Sequence, residues 1–580
     1  MSTHTIERVD DIPIIFHCLM RMRVAERIDR FWPAHGNWNG LSYGQLAVLF
    51  ITYVIHSLNH RLSGMEAWIA DHRHLLEQVT GWPLTPQEAT DDRLGILIGA
   101  LGSDQQRMVE YQIDQGAYLV QAYELPTEIG RYDTTTVNVY HAKDPEDENG
   151  ILEFGHSKNH RPDLLQFKQS LGTLDPAGVP LLTATLKGNA ADDPGYFPAW
   201  QQMAKTLGHP HFLFVGDCKG GALETREQIA RAGGIYLFPL ARTGTVPDQL
   251  ATWIRDPLRV PHDVYVDGEN EGERRRIGQG FEVEQRLVGK QDRAFRWSER
   301  WLVIHSERHA QQQRANFLKR LKDVETAVEF STPTGTESGE AWRARLQKML
   351  KEQQVEEFFT VQVQEKMHRE KRYLRPGRPT ANTPYRWETW SELSCRIERQ
   401  EGAIQTHQEL MGWRIYVTNA PKARMSLEQS VRYYRDEYTV ERGFHRFKRG
   451  SLPILPLFIR IPERIKGFLF LLFIALQALT LMDFIARREL AKTNEKLTGL
   501  VPGNPKIATV RPTAERLLAS FKNLHLLVEN NGVIITGYLV EKLSPLQEKI
   551  LTILQIPKEI YDLSFCRMRV EEDVELTVSA

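Results

Sequence analysis

Apolar residues recur at three- and four-residue spacing through the first 128 positions, the period of an amphipathic helix. The pattern predicts helices in RMRVAERIDRFW, SYGQLAVLFITYVIHSLNH, GMEAWIADH and GSDQQRMVEYQIDQGAYLVQAYE. Turn chemistry in PAHGNWNG and TGWPLTPQEATDD separates them. Such a bundle suits a DNA-binding or dimerisation module, and a generic helical cap fits the pattern at least as well. At Arg131 the period shortens to two. YDTTTVNVYH, GVPLLTATL, HFLFVGD and GGIYLFPL read as strands, and LETREQIARAG reads as a helix between the last two. Strands alternating with helices predict an α/β core.

Beyond residue 245 the order blurs. YVDGENEGERRRIGQGFEVEQRLVG and RAFRWSERWLVIHSER have the texture of exposed strands, and two charged amphipathic helices follow. KMHREKRYLRPGRPTANTP reads as a basic, proline-bearing linker. The region reads as an insertion, after which GWRIYVTNAP resumes strand texture and a helical stretch runs from Ser426 to about Lys492. The expected divisions are 1–128, 129–245, 246–395, 396–492 and a mixed tail, 493–580. Gly467 to Met482 is strongly apolar but contains Gln477 and stops before Asp483. A membrane span needs roughly 20 apolar residues, so a buried core helix is expected and no membrane partner.

Composition narrows the function classes. Among 580 residues, 73 Lys and Arg balance 74 Asp and Glu, for a net charge of -1. A globally basic nucleic-acid coat is excluded, and a polyanion would have to meet local patches. Cys18, Cys218, Cys395 and Cys566 are too scattered for a Cys-x-x-Cys metal pair or a disulfide scaffold. That usage fits a reducing cytoplasm, and MSTHTIERVDD carries no secretory pattern. No Gly-x4-Gly-Lys-Ser/Thr loop is present, and Gly278-Gln279-Gly280 lacks the flanks of a dinucleotide site.

Three acidic residues stand out. Asp133 interrupts a β-branched strand, where aspartate is a poor fit; it either caps locally or points into a cleft. Asp217 ends the apolar run HFLFVGD, at the carboxyl end of a strand, where α/β sheets bind ligands; a helix N-cap is the alternative. In YYRDEYTVERGFHRFKRG, Tyr434, Glu441 and Lys448 fall at seven-residue intervals, nearly two helical turns. They would line one helix face, against a ligand or as a solvated charged stripe. Together Asp133, Asp217 and Glu441 form a hard-oxygen set suited to two Mg²⁺ or Mn²⁺ ions. Such a pair of ions can activate water or a 3′-hydroxyl in phosphodiester transfer.

These residues carry a resemblance. YDTTTV, VGDCKGG and the Tyr-x6-Glu-x6-Lys spacing resemble the DDE transposases of bacterial insertion sequences. More narrowly they are similar to the insertion-sequence-four superfamily, whose signature is Tyr-x2-Arg-x3-Glu-x6-Lys. GHSKNHRPDLLQFKQSL (155–171) and LKGNAADD (186–193) strengthen it. The resemblance covers about 130–245 and 410–490. It implies an RNase H-like core interrupted by an insertion domain, with Asp133, Asp217 and Glu441 as catalytic metal ligands. It also implies a dimer acting on double-stranded DNA, both the ends of the element and the target, by cut-and-paste strand cleavage and transfer. Tyr434 and Lys448 match the signature, whereas Glu437 occupies its Arg position, and Arg435 is the candidate substitute. Arg446, in the locally basic ERGFHRFKRG, and Lys158 and Arg161 are further candidates for phosphate contact. RYLRPGRPT is similar to a minor-groove hook or an ordinary basic loop, and Trp297, Trp301 and Trp387 are either base-holding or core aromatics. A catalytically idle DNA-binding repressor, or domesticated copy, is the alternative reading.

Overall fold

Nine strands form one mixed sheet through the middle of the molecule. The computed structural model describes residues 3–143, 150–156, 161–267, 274–334, 337–374 and 376–568. In chain order the strands are β1 (Ile129–Val139), β2 (Leu165–Leu174), β3 (Val179–Lys187), β4 (Leu213–Gly216) and β5 (Ile235–Pro239). β6 (His262–Asp267), β7 (Arg274–Val288), β8 (Arg296–His305) and β9 (Trp413–Thr418) complete it. In space they run β3-β2-β1-β4-β5-β9-β8-β7-β6. The first three form an antiparallel meander, β4 and β5 lie parallel to β1, and the last four attach antiparallel. The α/β expectation holds at this level.

β2 was not anticipated, because its sequence LQFKQSLGTL is interrupted by polar residues. Those residues are buried and paired instead. Gln169 bridges Thr183 and Thr185 across the meander, and Gln166 donates to Gly188 O at 2.8 Å. Buried polar groups tolerate such a position when they are hydrogen-bonded.

The region read as an insertion does not stand apart from the sheet as a whole. β6, β7 and β8 lie within 246–395, yet they extend the central sheet. A separate core forms only beyond them, where Leu321, Trp342, Leu346 and Phe358 are buried together. Helices Glu307–Glu329 and Gly339–Glu352 supply it, with a hairpin of Phe359–Tyr373 and Tyr385–Arg399. The stretch read as a basic linker is therefore half strand. Its charges pair across the hairpin: His368 meets Glu392 at 2.6 Å, and the Arg369 guanidinium lies 4.1 Å from the centre of the Trp387 ring. Cross-strand pairs of this kind stabilise a ladder without apolar alternation.

The N-terminal helices form as predicted, including Tyr43–Ser57, which Ser42 and Gln45 start with a capping box. Thr3–Arg8, however, is a strand paired antiparallel to His525–Asn530. The C-terminal segment is thus not a free-standing tail; it shares a four-stranded sheet with the other end of the chain.

The apolar run lies within a helix, Pro462–Thr493, long and apolar enough to cross a membrane by length and composition. Its apolar window is entirely buried inside the protein. It crosses helix Asp91–Ser103 at backbone contact. A Cβ on Gly102 would stand 1.8 Å from Glu463 O, and one on Gly467 would stand 1.8 Å from Ile98 O. Only glycine allows that approach.

Candidate active site

The sheet register brings the two aspartates together. Tyr132 on β1 pairs with Gly216 on the parallel β4. Asp133 and Asp217 are the next residues on each strand, so they sit side by side at the carboxyl end of β4. Neither works simply as a cap, although each has local bonds. Asp133 Oδ1 accepts the Thr134 amide at 2.7 Å, and Asp217 Oδ1 accepts the Lys219 amide at 2.8 Å. Tyr196 also donates its hydroxyl to Asp217. Burial pushes the Tyr196 hydroxyl well above its ordinary pKa, and Asp217 and Asp133 push it the same way. Tyr196 therefore stays protonated as a donor to Asp217.

Glu441 lies in the first turn of helix Tyr438–Lys448, which packs on β1 and β2. Gly443 sets the depth: a Cβ there would be 3.0 Å from Leu171 Cδ1, and Leu171 is the cross-strand partner of Asp133. The single helical stripe expected from Tyr434 to Lys448 is broken. Tyr434 belongs to the preceding helix, Leu427–Arg435, which Ser426 and Gln429 start with a capping box. At the break the Thr439 hydroxyl donates to Asp436 O at 2.6 Å, and Glu437 N–H turns back to Tyr434 O at 3.1 Å. Such local bonds compete with the helix ladder. The continuous helix expected from Ser426 to Lys492 is interrupted again at 449–461, a stretch containing Pro453 and Pro456.

Tyr434, Arg435, Glu437, Tyr438 and Glu441 line one cleft of about 530 Å³, with Arg308, His309, Arg414 and Tyr416 opposite. Glu437 hydrogen-bonds Tyr434, yet its carboxyl is pushed up, by burial first and then by Glu441 and Asp217. Three carboxylates thus share one electrostatic neighbourhood. Arg435 is pushed down, by burial first and then by Arg275, Arg414 and Arg308. None of Arg308, Arg414 and Arg435 has a carboxylate ion-pair partner among the described residues; Arg414 instead meets the His309 ring at 3.2 Å. Arg308 and Arg414 escaped the sequence reading. Arg414 had a signal, a charge set into the alternation of Trp413, Ile415 and Val417 on β9. Arg308, at the start of an exposed helix, had none.

Other candidates divide. Arg446 faces inward, with its guanidinium 3.1 Å from Asp483 and 2.7 Å from Glu515. That placement corrects its assignment to a DNA-facing surface. Lys448 is partly exposed at the end of the same helix. Arg161 is exposed and grips Asp163 through two bonds of 2.8 and 2.6 Å. Lys158 and Arg375 lie outside the described residues. Trp297 and Trp301 donate to Glu299 at 3.2 and 3.0 Å, and Trp301 is buried, while Trp387 is exposed on the hairpin. The two stretches that strengthened the family resemblance meet in space: Lys168 donates to Asp192 at 2.8 Å and to Ala190 O at 2.6 Å.

Asp133, Asp217 and Glu441 offer hard carboxylate oxygens, the donor type that Mg²⁺ and Mn²⁺ take. Among the described residues no three His, Cys, Asp or Glu side chains converge as a metal-holding group. The three therefore match such ions in donor type alone. The chain matches no protein-family model, and no curated protein matches it.

Proposed function

We propose that this protein is a DDE-type DNA transposase with an RNase H-like core, cutting and joining phosphodiester bonds at the ends of a mobile element. The observation that carries the reading is the register that sets Asp133 beside Asp217, with the Glu441 helix packed over the same strand. The antiparallel meander extended by two parallel strands supports the core assignment. Asp133, Asp217 and Glu441 would hold Mg²⁺ or Mn²⁺, which supply charge neutralisation and an activated oxygen nucleophile when bound. The protein's own residues do the rest. Arg308, Arg414 and Arg435 supply fixed positive charge beside Glu441, where a DNA phosphate would replace mutual repulsion with pairing. This cluster stands in for the signature arginine that Glu437 replaces. Tyr196 holds Asp217 in one orientation by its hydroxyl, and the half-buried Lys168–Asp192 pair fixes the strand edge beside the site.

The test uses purified protein, a supercoiled plasmid bearing the ends of the element, and Mg²⁺ or Mn²⁺. The reading expects nicks with 3′-hydroxyl ends at the element boundary, lost in Glu441→Ala while end binding persists. Tight binding with no metal-dependent nick would instead indicate the idle repressor. Cutting that ignores the ends would indicate a simple nuclease.

A further inference from the structure

A second concavity, of about 580 Å³, shares Tyr438 with the cleft beside Glu441. Its walls come from the tight turn at Pro176 and Ala177, the Glu441 helix, the long helix Pro462–Thr493 and the segment at Val510 and Arg511. Four guanidiniums line it: Arg442, Arg487, Arg488 and Arg511. Their neutralisation is incomplete. The one buried carboxylate, Asp483, is shared by Arg442 at 3.6 Å, Arg487 at 3.2 Å and the inward-facing Arg446 at 3.1 Å. Arg488 donates to Tyr123 O at 2.7 Å and has Glu489 at 3.7 Å and the exposed Glu124 at 3.9 Å, neither at hydrogen-bond distance. Arg511 makes no salt bridge within 4 Å among the described residues, and a carboxylate that feels its charge is that of Asp436. Arg487 also anchors the segment carrying Arg511, donating to Pro512 O at 3.3 Å. Burial lowers the Arg487 pKa, and Arg442, Arg446 and Arg511 add to that against Asp483. Phe484 and Val510 give the floor apolar surface of the kind that deoxyribose can cover.

We propose that this concavity is a phosphodiester-binding groove that continues the DNA path from the Glu441 cleft onto the C-terminal segment, with Arg511 as an open phosphate contact. The proposal rests on the DNA reading above and gives residues 510–511 a role in holding substrate. A guanidinium surplus around one buried carboxylate is suited to a repeating polyanion, and each phosphate contact adds about 0.9 to the slope of log affinity against log salt.

The full-length protein is titrated with a fluorescein-labelled duplex carrying the element ends, over a series of salt concentrations, and the same preparations are assayed for plasmid nicking. Arg511→Ala should lower the salt slope by about 1, and Arg511→Glu should weaken binding roughly tenfold. Arg511→Lys should recover most of the slope. Melting temperatures should match the wild type, and Arg396→Glu, on the exposed hairpin, should leave binding unchanged. If the wild type nicks DNA but Arg511→Glu binds with unaltered affinity and slope, the groove is wrong and the transposase reading stands. If the wild type nicks nothing while Arg511→Ala still lowers the slope, the groove stands and the transposase reading falls.

Discussion

Glu441 and Arg446 occupy the same short helix and contrast completely. Glu441 is exposed on the cleft, facing a group of arginines without carboxylate partners. Arg446 is 7% exposed and bound to Asp483 and Glu515. In sequence both belong to one basic stretch, ERGFHRFKRG, and nothing local distinguishes a phosphate-contacting arginine from a structural one. Packing makes the distinction. One face of the helix meets β1 and β2, and another meets the long helix that carries Asp483. A charge facing an open cleft is available to a ligand, whereas a charge facing a buried carboxylate becomes part of the core.

The contrast breaks most sharply by exchange of effects. Arg446→Ala leaves the buried Asp483 with Arg487 and Arg442 alone, strips the part-exposed Glu515 of its ion pair and empties a buried side-chain site, and should cost about 2–3 kcal/mol in urea unfolding. Glu441→Ala should leave the unfolding midpoint within about 0.5 kcal/mol of wild type while removing metal-dependent nicking. An Arg446→Ala protein as stable as wild type would dissolve the distinction.

A pH titration sharpens it next. The part-exposed Glu515 carboxyl is pushed from 4.5 down to about 2, with the Arg446 hydrogen bond and charge outweighing desolvation. A depressed folded pKa gives stability that is fully present above the unfolded value and is lost as pH falls through the folded one. The wild type should therefore lose stability between pH 4.5 and pH 2 that Glu515→Gln does not lose, by about 1 kcal/mol once solvent screening of this part-exposed pair is counted. Parallel pH profiles for the two proteins would remove Glu515 from the account.

The smallest effect belongs to the cleft arginines. Arg435→Ala should change stability by no more than about 0.5 kcal/mol and lower the salt slope of DNA binding by about 1. An unchanged slope, measured by fluorescence anisotropy, would show that Arg435 does not replace the missing signature arginine.

Much of the fold was legible because period and turn chemistry are local. The N-terminal helices, β1, β4, β5 and the buried character of the apolar run follow from spacing alone. β2 was missed because Gln166, Gln169 and Ser170 find partners only across the sheet. The hairpin at 359–399 was missed because its ladder is built from cross-strand charge and aromatic pairs. Pairing between Thr3–Arg8 and His525–Asn530 joins the two ends of the chain, a contact that no window of sequence spans. The carboxylates were legible as misfits in their surroundings. Their mutual placement needed the register between β1 and β4, and the arginines opposite Glu441 needed β9 and the start of the insertion brought alongside.

The central claim is that Asp217 binds the catalytic metal directly. The decisive measurement is plasmid nicking by Asp217→Cys in Mg²⁺ and in Mn²⁺, with wild type active in both. A thiolate is a poor ligand for Mg²⁺ and a more acceptable one for the softer Mn²⁺. The account predicts no cutting by Asp217→Cys in Mg²⁺ and recovered end-specific cutting in Mn²⁺. Cutting in Mg²⁺ at the wild-type rate would contradict it.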